Sequence, residues 1–218
     1  MKGMKLGILL VMAIIVLVSV ASATVLPSTV TATVVKFGTN SYVDVKITDG
    51  GNDDLPNASY TGWCSDSQAE FIDLGPNAIY FPYDTRYQTT PGDTVQWDKI
   101  NYILNNDAGY SKGAIQQAIW EFDGGRADIP AWNAIAPYNE NDVQTLINAA
   151  NANGAGYVPT SGGQKFAVYL YNREQGQPIF IVATIPQIPV PEFPTLALPI
   201  GILIGVVGVV TAIKTREE

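Results

Sequence analysis

The sequence predicts an α+β fold: β-sandwich or barrel-like strands interrupted by a helical section, with an N-terminal signal and a C-terminal transmembrane helix. Three observations predict it. Valine- and threonine-rich segments that alternate apolar and polar residues stand near both ends of the body. Segments with apolar residues at i, i+3, i+4 and i+7 fill its middle, and each terminus carries a long apolar run.

Residues 1–23 have the layout of a signal peptide. Lys2 and Lys5 give a positive start, Leu6–Val20 is apolar, and Ala21-Ser22-Ala23 is a small-residue cleavage pattern, so the mature chain starts at Thr24. Within the body, residues 24–185, Thr29–Gly38 and Tyr42–Asp49 alternate as strands around the turn Gly38-Thr39-Asn40-Ser41. Ala58–Cys64 and Ala78–Tyr83 read as further strands. Trp97, Ile100, Ile103 and Leu104 predict a helix over Thr94–Asn106, capped by Asp93 or Thr94. Ser111 opens a second helix, Lys112–Phe122, which Asp123-Gly124-Gly125 stops; a third, Asn141–Asn153, ends at Gly154. Thr160–Gly163 is a loop, and Lys165–Asn172 with Pro178–Ile185 forms a closing hairpin.

Beyond the body, residues 186–194 form a proline-rich spacer, stiff and extended. Residues 195–213 are apolar and, as a helix, would span roughly 28 Å, close to a bilayer core. Lys214 and Arg216 in the tail, residues 214–218, suit a cytoplasmic end with the body outside. Pro191-Glu192-Phe193, followed by an apolar helix and a short basic end, resembles the PEF-type C-terminal sorting signal of archaeal surface proteins. The resemblance implies an archaeosortase that removes the tail and attaches the body to a lipid; the alternative is a single-pass anchor. Either fate displays the body on the cell surface.

Composition excludes several functions. The formal charge of −8 becomes −10 once Lys2 and Lys5 leave with the signal, and so acidic a body is repelled by nucleic-acid phosphates. With no histidine and one cysteine, the common zinc and iron sites lack ligands, and no cofactor is expected. Asp49–Asp54 could offer oxygen ligands to calcium but lacks EF-hand spacing and reads as a solvated turn. Asn57-Ala58-Ser59 is a glycosylation sequon.

The single cysteine, Cys64, lies in Thr61–Asp66, TGWCSD. A lone cysteine is commonly an inert core residue. Protease chemistry needs a base beside the thiol, and the usual histidine does not exist here. An intermolecular disulfide is allowed by the odd count. A further fate is attack on a glutamine carboxamide, which expels ammonia and leaves an internal thioester. Ala114–Phe122, AIQQAIWEF, offers two glutamines. Gln116 falls at the edge of the stripe formed by Ile115, Ala118, Ile119 and Phe122, and Gln117 roughly opposite its centre, so Gln117 is expected to face water.

Trp63-Cys64 followed by this Ile-Gln-x-Ala-Ile-Trp-like helix resembles the thioester domains of Gram-positive surface adhesins. Trp97–Asn105 also resembles the helix that precedes the glutamine motif in related exported proteins. The resemblance implies a Cys64–Gln116 thioester, with Trp63, Ala118, Ile119 and Trp120 as packing around it. The family's threonine before the glutamine is Ile115 here, and the apolar residue after its cysteine is Ser65. The implied function is adhesin-like. An amine-bearing protein or surface ligand attacks the Gln116 acyl carbon and becomes covalently attached, in one turnover rather than enzymatic catalysis. Tyr60, Asp66 and Tyr102 are candidates for proton transfer. The alternative is a structural or carbohydrate-binding surface module with a reduced, buried Cys64, for which 11 tyrosines and 4 tryptophans supply stacking surfaces. A carboxylate hydrolase is a third reading, with no readable pairing of acids.

Overall fold

Six strands of the computed structural model close into an antiparallel barrel. The described residues are 25–91, 94–126, 136–174 and 177–187. The expected signal peptide, the residues read as a sorting motif (Pro191, Glu192 and Phe193), the apolar run 195–213 and the tail 214–218 lie outside them. No helix among the described residues is long and apolar enough to cross a membrane. The strands are β1 (Val30–Lys36), β2 (Val43–Asp49), β3 (Ser59–Cys64), β4 (Ala78–Asp84), β5 (Lys165–Tyr171) and β6 (Ile179–Thr184). Around the barrel their order is β1-β2-β3-β6-β5-β4, and β4 closes onto β1. Between β4 and β5 the chain forms α1 (Trp97–Asn105), α2 (Lys112–Glu121) and α3 (Glu140–Asn153). Of the two sequence options, sandwich or barrel, the observed one is the barrel.

Alternation decides which side chains enter it. Residues directly opposite in an antiparallel ladder share a face, and the register runs Val34↔Val45, Val43↔Gly62, Gly62↔Ile181, Ile181↔Val168 and Val168↔Asp84. That row is the interior face, and Val34, Val43, Ile181 and Val168 on it are buried. Lys36 and Cys64 share this face, at the end of the barrel where β1 and β3 finish. Asp84 shares it at the opposite end. There Arg86 closes the barrel, its guanidinium paired with Asp84 (Nη2 to Oδ2, 2.6 Å; Nε to Oδ1, 2.9 Å) and lying 3.7 Å from the Phe166 ring centroid.

On the outer face of β5 and β6 the helical section packs. Trp97 meets Phe180 and Tyr169 with ring centroids 5.4 and 5.9 Å apart. Asn101 is 1% exposed because its carboxamide is spent on the barrel: Oδ1 accepts from Ala167 N (2.8 Å) and Nδ2 donates to Thr85 Oγ1. The first helix begins three residues later than expected. Thr94 lies before it, Gln96 is its N-cap without a side-chain cap, and Asp93 is outside the described residues. Gln96 N donates instead to the Phe122 carbonyl, so a tertiary contact rather than local capping sets where α1 starts. The second helix is capped as read, Ser111 Oγ accepting from Ala114 N (3.2 Å). The third starts one residue earlier, after Asn139, whose side chain accepts from Asn141 N.

Gly62 marks the tightest point of β3. A Cβ there would stand 2.8 Å from the Phe180 carbonyl oxygen and 2.8 Å from Val43 Cγ2. Gly62→Ala should therefore lower stability by about 1–3 kcal/mol, since the first obstacle is backbone that cannot rotate away. A urea titration checks this, with a lower midpoint and an unchanged slope expected.

Candidate functional site

Cys64 is the last residue of β3, and both faces of the strand end are covered, leaving Trp63 4% and Cys64 0% exposed. Gln116 projects from α2 and is 1% exposed. The two meet through a reciprocal pair of hydrogen bonds. Cys64 N donates to Gln116 Oε1 (3.0 Å), and Gln116 Nε2 donates to the Cys64 carbonyl (2.8 Å). These bonds reach across 52 positions of sequence. They consume both polar ends of the carboxamide on the backbone of the residue that carries the sulfur.

The sulfur has its own setting. Cys64 Sγ–H donates to the Asp66 carbonyl (2.9 Å), and Asp66 N approaches the sulfur at 3.3 Å. Burial pushes the Cys64 thiol well above its usual range. The Asp66 backbone bond and the Trp120 indole favour the thiolate, whereas the carboxylates of Asp123 and Asp66 oppose it. Trp120 follows Gln116 by four residues on one helix face. Its fully buried N–H, which no oxygen accepts, lies beside the sulfur.

The turn after Cys64 is built to hold this geometry. Asp66 Oδ1 accepts from Gln68 N (2.7 Å) and Ala69 N (3.1 Å), Ser67 Oγ donates to the Gly125 carbonyl, and Ser65 N donates to the Pro178 carbonyl. Gln177 Nε2 reaches the Asp66 carbonyl (3.2 Å), and the Gln177 side chain is hydrogen-bonded to the Tyr42 hydroxyl. Burial raises the Tyr42 phenol, and the neighbouring Cys64 adds to the shift. Ser65, at the position where the resembled family carries an apolar residue, is buried at 2% with its backbone N–H tied to Pro178, just before β6.

Several sequence-predicted residues fall elsewhere. Gln117 does not face water: it is 4% exposed and its Oε1 accepts from Arg126 Nη1 (3.4 Å). The reason is that α2 is covered all round, with every residue from Gly113 to Trp120 buried, so its polar side has protein rather than solvent against it. Of the proton-transfer candidates only Asp66 bonds to the pair. Tyr60 donates to the Pro56 carbonyl (2.7 Å), and Tyr102 packs edge-on against Tyr157 (5.5 Å between centroids). Ala118 and Ile119 are fully buried in the core. Asn57 is exposed, its side-chain oxygen accepting from Gly51 N (2.9 Å). The Asp49–Asp54 stretch turns its oxygens onto backbone: Asn52 Oδ1 accepts from Asp54 N and Leu55 N, and Asp54 Oδ2 from Val25 N.

Sequence reading missed Lys36, Tyr42 and Gln177. Lys36 was legible in principle, because it shares the parity of Val30, Ala32 and Val34 and is thus a charge in the inward row of β1. Tyr42 and Gln177 carry no such signal; only strand pairing brings residues 135 positions apart to one barrel end. The arrangement places a sulfur, a carboxamide and a backbone N–H donor together in a dry site. Comparison of the chain with protein-family models, with curated proteins and with solved structures finds no match.

Proposed function

We propose that this protein is a cell-surface adhesin-like protein whose Cys64 and Gln116 form an internal thioester that captures amine-bearing targets covalently. The observation that carries the reading is the reciprocal hydrogen-bonded pair between the Gln116 carboxamide and the Cys64 backbone, buried at both ends. In the forming step the Cys64 sulfur bonds to Gln116 Cδ. Negative charge then develops on Oε1, to which the Cys64 N–H already donates, the role of an oxyanion hole. The C–N bond then breaks, the thiol's proton passes to Nε2, and ammonia leaves. Atoms and charge balance without any added reactant, and a missing histidine is no obstacle.

In the capture step an amine adds to the same carbon, the C–S bond breaks with its electrons on sulfur, and an amide remains. Each molecule does this once. Burial of both groups keeps water from the acyl carbon, which a stored thioester requires. Display at the surface rests on the leader, the spacer and the PEF-type tail, processed by an archaeosortase or retained as an anchor.

Intact mass spectrometry tests the reading. The mature chain is expected to weigh one ammonia less than its sequence, and to gain the mass of one methylamine on treatment. Cys64→Ala keeps the backbone groups that hold Gln116, so it should fold, show full mass and take up no amine. A full-mass wild-type protein with a titratable thiol would sink the proposal and leave a surface module with a reduced, buried cysteine.

A further inference from the structure

The barrel end that holds Cys64 also holds a cluster that the thioester chemistry does not use. The Lys36 ammonium lies 5.1 Å from the ring centroid of Phe37, 5.6 Å from that of Tyr42 and 5.7 Å from that of Phe71. Three rings around one cation, all within about 6 Å, make a cation–π cage of the type that selects ammonium groups. The Glu70 carboxylate adds a favourable charge. Tyr42 links cage to site, since its ring meets Trp120 edge-on at 5.7 Å and Trp120 lies beside the sulfur.

Two further facts set this cluster apart from core packing. Phe37 has φ 61°, a left-handed conformation that a bulky side chain rarely adopts. Yet the residue is 58% exposed, so little burial repays the strain, and such uncompensated strain gathers at ligand sites. The hairpin that carries it is tied to the reactive helix: Phe37 N donates to the Tyr42 carbonyl (2.7 Å), and Lys112 Nζ on α2 donates to the Gly38 carbonyl (2.7 Å).

We infer that Phe37, Tyr42 and Phe71 form an ammonium-binding subsite at the mouth of the Cys64–Gln116 site, with Lys36 as its resident placeholder and an incoming primary ammonium as its ligand. The consequence for capture rests on the thioester reading; the binding of an ammonium by the cage does not. An ammonium that displaces Lys36 is held beside Tyr42, whose ring meets the Trp120 that lies beside the sulfur. It loses a proton to solvent, its lone pair adds to Gln116 Cδ, the C–S bond breaks, and the sulfur takes the second amine proton.

The test uses the full chain in detergent and tetramethylammonium as the probe, observed by line broadening of its proton signal, with tert-butanol as the neutral isostere. Lys36→Ala should bind tetramethylammonium about tenfold more tightly than wild type, and tert-butanol no better. Lys36→Arg, which refills the cage, should behave as wild type. Adding Phe37→Ala and Phe71→Ala to Lys36→Ala should abolish the gain. Equal binding by wild type and Lys36→Ala, or a gain that survives loss of both phenylalanines, overturns the inference. In a second arm, methylamine uptake should be faster in Lys36→Ala and slowed by tetramethylammonium. A wild-type chain of full mass would end the thioester reading while the binding arm still decides the cage.

Discussion

Gln116→Ala will leave the chain at its full sequence mass and unable to take up methylamine, whereas Gln117→Ala will still lack one ammonia. Both glutamines are buried on α2, so burial alone does not choose between them. Hydrogen bonding does. Gln116 spends its carboxamide on the Cys64 backbone, while Gln117 meets Arg126. Gln116→Ala also strips the buried Cys64 N–H of the carbonyl oxygen that survives in the thioester, at a cost of about 1–3 kcal/mol. A lower melting temperature should therefore accompany the lost chemistry. Retention of the deficit in Gln116→Ala would show that another acyl donor serves the sulfur.

Arg86→Met should destabilise the fold by about 3–5 kcal/mol, the cost of stranding one partner of a buried ion pair. The side chains of Arg86 and Asp84 are 3% and 5% exposed, and the fork is bidentate. Without the guanidinium, the Asp84 carboxylate is left inside the barrel facing the Arg86 backbone N–H (3.0 Å to Oδ1). The Phe166 ring loses its stacked cation as well. Arg86→Lys should recover only part of the loss, because an ammonium offers neither the planar fork nor the stacking surface. The double variant Asp84→Asn with Arg86→Met should be milder than Arg86→Met alone. Urea titrations of the three variants give the measurement, and a loss below about 1 kcal/mol would show the pair to be effectively solvated.

Local chemistry made most of the secondary structure legible. Strands and helices follow the alternation and the i, i+3, i+4, i+7 spacing to within a residue or two at nearly every boundary, because each element has one face in the core. The α1 start was missed since the Gln96 N–H at its N-cap is satisfied from Phe122, far along the chain, and no side-chain cap announces that. Gln117 was misplaced for a related reason. Periodicity reports the most apolar face of a helix, and a helix covered on every side has no water-facing residue to identify.

By itself the sequence determined the α+β order of elements, the net acidity, the lone thiol, and Gln116 as the glutamine at the edge of the apolar stripe. Only the tertiary structure decided that the strands close into a barrel, that the Gln116 carboxamide docks on the Cys64 backbone, and that Lys36 enters an aromatic cage at that same end. The physical reason is the range of the forces involved. Propensity and amphipathicity act over a few residues and are written locally, whereas ladder closure, carboxamide docking and ring-on-cation contact join segments that meet only after the chain has folded.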